Sequence, residues 1–128
     1  MSNTPIKIAP SILSGHFSRL GDQVREATAA GANYIHLDVM DGRYVPNLTF
    51  GSVVIENLNE YTNLPLDAHL MVVDPDRHVN NFIKAGVHHI TVHVEAANHL
   101  HSIIYGIKEA GLKAGVALNP STPISAIE

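Results

Sequence analysis

Two short apolar runs carry the ionisable residues best placed to do chemistry. The first reads Tyr34-Ile35-His36-Leu37-Asp38-Val39-Met40-Asp41-Gly42 and the second Leu66-Asp67-Ala68-His69-Leu70-Met71-Val72. Both have the length and composition of β-strands, and residues two apart in a strand share a face. His36, Asp38 and Met40 therefore point one way and Leu37 and Val39 the other; Asp67, His69 and Met71 likewise share a face. Ionisable groups are costly to bury unless paired, protonated or bound to a metal. Two strands that aim such groups at one face point to a common polar site. Imidazoles with a carboxylate suit zinc or ferrous iron about equally.

The elements that must hold this site alternate along the chain. Strand-like runs span 6–12, 34–40, 66–72, 88–94 and 113–118. Leu100, Ile103, Ile104 and Ile107 lie at helical spacing and make one apolar stripe. A helix with Leu20, Val24 and Ala27 precedes the second strand, and a shorter one near 52–59 carries Val54 and Leu58. Asp74 and Pro75 read as N-cap and first position of a helix with Val79, Phe82 and Ile83 on its buried face. Ala30-Gly31, Ala85-Gly86 and Ala110-Gly111 each suit a left-handed helix stop. Strict β-α alternation predicts a parallel sheet with crossover helices. The polar residues fall near the C-terminal strand ends, where α/β proteins place their sites. A doubly wound sheet would favour G-x-G-x-x-G after the first strand, and Ala9-Pro10-Ser11-Ile12-Leu13-Ser14-Gly15 lacks it. A (β/α)8 barrel needs about 250 residues, so these 128 fit its first five strands.

Composition narrows the function classes. An apolar fraction of 45% supports one domain with a real core, and a net charge of −4 gives no basic footprint for nucleic acid. No run is long and apolar enough to span a membrane, and Met1-Ser2-Asn3-Thr4-Pro5 lacks the pattern of a signal peptide. Absence of cysteine fits the cytoplasm. Nine histidines against eight Lys plus Arg are compatible with metal binding.

Four segments together, Ala9-Pro10-Ser11-Ile12-Leu13-Ser14, His36 to Gly42, Val45-Pro46-Asn47 and His69-Leu70-Met71-Val72, closely resemble ribulose-phosphate 3-epimerase. The resemblance implies an α/β fold of the TIM (β/α)8-barrel family. Residues 1–128 would form the N-terminal part of a single ribulose-phosphate-binding barrel, covering strands 1 to 5. It implies interconversion of ribulose 5-phosphate and xylulose 5-phosphate in the pentose phosphate pathway, with one divalent metal: zinc or iron(II), with manganese or cobalt as alternatives. Asp38 matches the acid that both ligates the metal and moves a proton; His36 and His69 match ligands. Ser11 matches a substrate-contacting serine, Met40 and Met71 match methionines lining the reaction cavity, and His69 also borders the substrate. The family's fourth ligand, an aspartate that serves as the opposite acid/base, and its phosphate loops lie on later strands. The chain alone is therefore expected to be inactive. Open sheet edges, with interior positions such as His36 and the Val92 and Val116 regions uncovered, predict a homo-oligomer or a self-associating chain.

The chemistry fits the residues. Epimerisation beside a ketone needs a base for the α-proton, an acid on the opposite face and help for the enediolate between, which a metal gives by drawing on both oxygens. Methionines can border that charge without competing for protons. Other residues read more plainly. Asp41 before Gly42 suits a turn, and Asp67 has no settled role. His93 and Glu95 either position the ligands or form a structural ion pair. His88 and His89 read as partly solvated, and His16, His78, His99 and His101 as surface residues. Ser121 in Asn119-Pro120-Ser121 suits a turn better than a substrate contact. Allulose-6-phosphate 3-epimerase is the near alternative, and a non-catalytic truncated half-barrel the alternative of another class. A related decarboxylase branch carries Asp-x-Lys-x-x-Asp on its third strand; here His69 replaces the lysine, which argues against decarboxylation.

Overall fold

The computed structural model describes residues 3–128; Met1 and Ser2, which open the segment examined for a signal peptide, lie outside them. Four parallel strands form one sheet: β1 (Ile35–Met40), β2 (Leu66–Met71), β3 (His89–His93) and β4 (Lys113–Ala117). Their spatial order is their chain order. The α-helices are α1 (Leu20–Ala29), α2 (Ser52–Ile55), α3 (Val79–Lys84) and α4 (Leu100–Glu109). Sequential order with right-handed crossovers keeps every helix on one face, as in a barrel wall. A doubly wound sheet would reverse its order at a switch point.

The alternation in the sequence becomes two chemically distinct faces. In β1 the buried positions are Ile35, Leu37 and Val39; in β2 they are Leu66, Ala68 and Leu70. These meet Leu20, Val24, Ile55, Val79, Phe82, Ile103 and Ile107 from the helices in one apolar core. The other face carries His36, Asp38, Met40, Asp67, His69 and Met71, all half-buried. Register pairs them across the strands: His36 with Asp67, Asp38 with His69, Met40 with Met71. Val92, expected on the interior face, instead joins Leu70 on the helix side, and both are fully buried. Thr91 takes the interior position, over Gly115 of β4, where a Cβ would stand 2.5 Å from its Oγ1.

The expected first strand is not a strand. Ile8 and Pro10 offer their carbonyls to Asn33, Tyr34 and His36, but Pro10 has no N–H to return. A single bridge, Ser11 with His36, is all that forms. Ile6 and Ile8 stay 87% and 57% exposed, so no burial holds the segment flat. The chain then tightens into a 3-10 turn at Ile12–Ser14, with Ser11 Oγ accepting from Leu13 N–H.

Helix starts departed from expectation more than helix stops did. Asp74 does precede Pro75, but its side chain makes no cap, its φ is +48°, and Pro75–Arg77 is a 3-10 turn before α3. The helix expected near 52–59 ends at Ile55, and Leu58 opens a separate 3-10 turn, Leu58–Glu60; Ile55 and Leu58 face the core, whereas Val54 is 42% exposed. All three Ala-Gly stops hold. Gly31, Gly86 and Gly111 have φ of +99°, +90° and +83°. The next N–H, from Ala32, Val87 and Leu112, reaches back to Ala27, Phe82 and Ile107, which is the Schellman arrangement.

Candidate metal centre

His36, Asp38 and His69 converge on the interior face of β1 and β2, one donor atom from each lying within 4.8 Å of the others, with His36 the second residue of β1 and Asp38 paired to His69 further along. Asp38 Oδ1 is the hub, 2.9 Å from His36 Nε2 and 3.1 Å from His69 Nδ1. The three side chains are between 22% and 25% exposed, enough for a ligand to reach them. Bonds of about 2.1 Å from a first-row ion to imidazole and carboxylate put adjacent ligand atoms roughly 3 Å apart, the separation already present around Asp38. The donor set thus fits the divalent metal that the resemblance implies.

Each imidazole is also held from behind. His36 Nδ1 meets Asp67 Oδ2 at 3.0 Å. That hydrogen bond, with the charge of Asp38 assisting and burial opposing, raises the pKa of His36. His69 Nε2 meets His93 Nε2 at 2.7 Å, the two rings stacked with centroids 4.9 Å apart. Burial, together with the neighbouring His69, lowers the pKa of His93. Glu95 Oε2 lies 3.7 Å from His93 Nδ1. Burial works against ionisation of Glu95, but hydrogen bonds from the Asn119 N–H and the Thr122 hydroxyl outweigh it and its pKa falls.

The remaining site residues divide. Ser11 is drawn beside His36 through its backbone, while its hydroxyl serves the following turn. Met40 and Met71 pair one layer beyond Asp38 and His69. Met40 also lines a 360 Å³ cavity with Leu48, Phe50 and Phe82, a cavity that none of the three donors lines. Asp41 is the turn residue expected: its carboxylate accepts from the N–H groups of Arg43, Tyr44 and Val73, and Gly42 follows at φ +71°. Ser121 is exposed in a turn closed by Thr122 N–H to the Asn119 carbonyl. Two contributors went unseen in the sequence. Thr49 bonds both the Asp38 carbonyl and the Met40 N–H, pinning the end of β1. Tyr44 lays its ring against His93 and takes a hydrogen bond from Asn119. Both sit in an irregular loop, where no periodicity marks which side chain turns inward.

A parallel, sequentially wound sheet with a His-Asp-His cluster on its interior face defines a (β/α)-barrel protein with a candidate metal site. Residues 7–128 match the model of the ribulose-phosphate 3 epimerase family, and the chain belongs to that family. It is 52% identical to the ribulose-phosphate 3-epimerase of Bacillus subtilis over 96% of this chain and 57% of the relative. It is 52% identical to the chloroplastic ribulose-5-phosphate-3-epimerase of Arabidopsis thaliana over 99% of this chain and 46% of the relative. The Escherichia coli ribulose-phosphate 3-epimerase is 50% identical over 94% and 54%. The chain therefore spans about half the length of the curated relatives it matches. A solved structure of the N-acetylmannosamine-6-phosphate 2-epimerase from Clostridium perfringens shares the fold, with a TM-score of 0.60 at 16% identity over 93% of this chain and 49% of that one. No helix among the described residues is long and apolar enough to cross a membrane.

Proposed function

We propose that these residues form the N-terminal part of a single catalytic barrel that interconverts D-ribulose 5-phosphate and D-xylulose 5-phosphate. The observation that carries this reading is the convergence of His36, Asp38 and His69 on one face of β1 and β2, in a chain about half identical to ribulose-phosphate 3-epimerases.

A divalent ion, zinc or iron(II), held by those three side chains would supply positive charge to the two substrate oxygens beside the reacting carbon. Asp38 takes the C3 proton as base and returns it in the reverse direction; β1 holds its carboxylate rigidly for this. Its Oδ1 is occupied by the two imidazoles, while Oδ2 accepts no hydrogen bond from the described residues and is open to a proton. Met40 and Met71 border the reacting carbon with neutral, polarizable surface. Ser11 and His69 contact the substrate. The acid on the opposite face and the phosphate loops belong to later strands of the barrel, as the resemblance implies. The protein works in the cytoplasm as a homo-oligomer.

The full-length protein tests this directly. Purified, stripped of metal and reloaded, it should convert ribulose 5-phosphate to xylulose 5-phosphate in a metal-dependent way. It should also exchange the C3 proton with solvent deuterium. Absence of both reactions from folded, metal-loaded protein overturns the reading.

A further inference from the structure

An imidazole nitrogen that binds a metal carries no proton, so the other ring nitrogen must carry it and donate it. His36 meets that demand simply, because Asp67 is an acceptor. His69 meets it through another imidazole. Once a metal replaces the proton by which His69 Nδ1 meets Asp38 Oδ1 at 3.1 Å, the remaining ring proton sits on Nε2 and must be donated across the 2.7 Å contact to His93 Nε2. His93 can accept there only if its own proton sits on Nδ1. That nitrogen is buried without a hydrogen-bond partner, and Glu95 Oε2 stands 3.7 Å from it. The opposite assignment puts the proton of His93 on Nε2 and that of His69 on Nδ1, which closes Nδ1 to a cation.

We propose that His93 and Glu95 are positioning residues that take the Nε2–H of His69 once its Nδ1 binds a divalent metal, and that they tie this ligand to the loop after β4. The proposal rests on the reading of His36, Asp38 and His69 as the metal centre. The ring of His93 is built to hold one orientation. It is 8% exposed, stacked on His69 at 25° between planes, with the Tyr44 ring 5.1 Å away. Glu95 is anchored in turn by Asn119 N–H and the Thr122 hydroxyl. The same Asn119 donates through its side chain to Tyr44 Oη at 3.1 Å. One loop residue thus holds both the acceptor behind His93 and the ring beside it. An ion pair built only for stability would need no contact with His69.

The test uses the full-length protein with Zn2+ alone, measured by competition with a chromophoric chelator, and nitrogen-15 NMR of the histidine rings. His93→Phe keeps the ring and removes the acceptor. Glu95→Gln keeps an oxygen for Asn119 and Thr122 and removes the charge. Each should weaken zinc binding by about 10–100-fold, and in the zinc-loaded wild type His93 should carry its proton on Nδ1. His93→Gln, which restores an acceptor, should recover part of the affinity. Unchanged affinity in folded His93→Phe and Glu95→Gln overturns the proposal. So does zinc-loaded wild-type protein with the His93 proton on Nε2, a measurement that needs no variant. His36→Ala and His69→Ala separate the two readings. If they leave zinc binding intact, the centre itself is misplaced; if they abolish it while the His93 and Glu95 variants bind normally, only the positioning role fails.

Discussion

The two oxygens of Asp38 stand in different surroundings: Oδ1 lies against both imidazoles, and Oδ2 accepts no hydrogen bond from the described residues. Asp38→Asn in the full-length protein should therefore keep the fold and lower turnover by about 10²–10⁴-fold, the range for loss of a positioned acid or base. Steady-state kinetics beside a circular dichroism spectrum checks this, and near-normal turnover excludes Asp38 as the base. The metal-free protein should also show two opposed pH effects. His36, whose pKa is raised chiefly by its hydrogen bond to Asp67, adds stability that is full below the ordinary value of 6.5 and is lost as pH rises through the folded pKa. His93, whose pKa is lowered chiefly by burial, adds stability present above 6.5 and lost as pH falls through its folded pKa. Urea midpoints measured across this range should peak between the two, and His93→Gln should remove the acid limb alone; an unchanged acid limb would contradict the assignment. The convergence of His36, Asp38 and His69 was legible in the sequence because period-2 alternation in two adjacent strands leaves little freedom. The contact of His69 with His93 was not, because β2–β3 register pairs His69 with Thr91 and the touching residue lies two positions further on.

At the scale of elements, local chemistry with a single solution was readable and chemistry with several was not. A glycine after a helix has one common use, and all three stops adopt it. A Pro preceded by Asp can open an α-helix or a 3-10 turn, and the chain took the second. The stretch 6–10 has strand composition but lacks the proline N–H and the burial that a strand needs. The glycine stops also make a graded prediction. Gly31 and Gly86 both hold positive φ, so alanine at either should cost about 1–2 kcal/mol through backbone strain. A Cβ at Gly31 meets nothing, whereas one at Gly86 collides with the Asn59 amide, which itself bonds the Gly86 carbonyl at 3.1 Å. Gly86→Ala should therefore lower the urea midpoint more than Gly31→Ala; equal or reversed losses would show that Asn59 moves aside freely.

At the scale of the molecule, the sheet carries two unequal edges and one open face. β1 has the segment from Ile8 to Ser11 against it, although only one bridge is formed. β4 is paired to β3 alone, and none of its residues is fully buried, in contrast to the alternate buried positions of β1 and β2. Its outer edge has no partner strand among the described residues, and an open edge is a template for another strand. Apolar side chains lie uncovered near both ends, with Ile6 at 87% and Ile124 at 68% exposure, and exposed apolar area drives association. A polypeptide of these 128 residues should therefore self-associate at low micromolar concentration, through strand edges or by aggregation. It should show little epimerase activity, since the proposed base Asp38 would serve one face of the reacting carbon only, and the opposite acid is expected on a later strand. Some zinc affinity should survive through His36, Asp38 and His69. Sedimentation velocity, zinc titration and a turnover assay on mass-verified protein read all three. Only a sharply unfolding monomer with full turnover would refute both expectations at once. It would mean that the β4 edge is protected in solution and that a second acid is supplied from within, with Glu95, 3.7 Å from the His93 ring, a carboxylate to test.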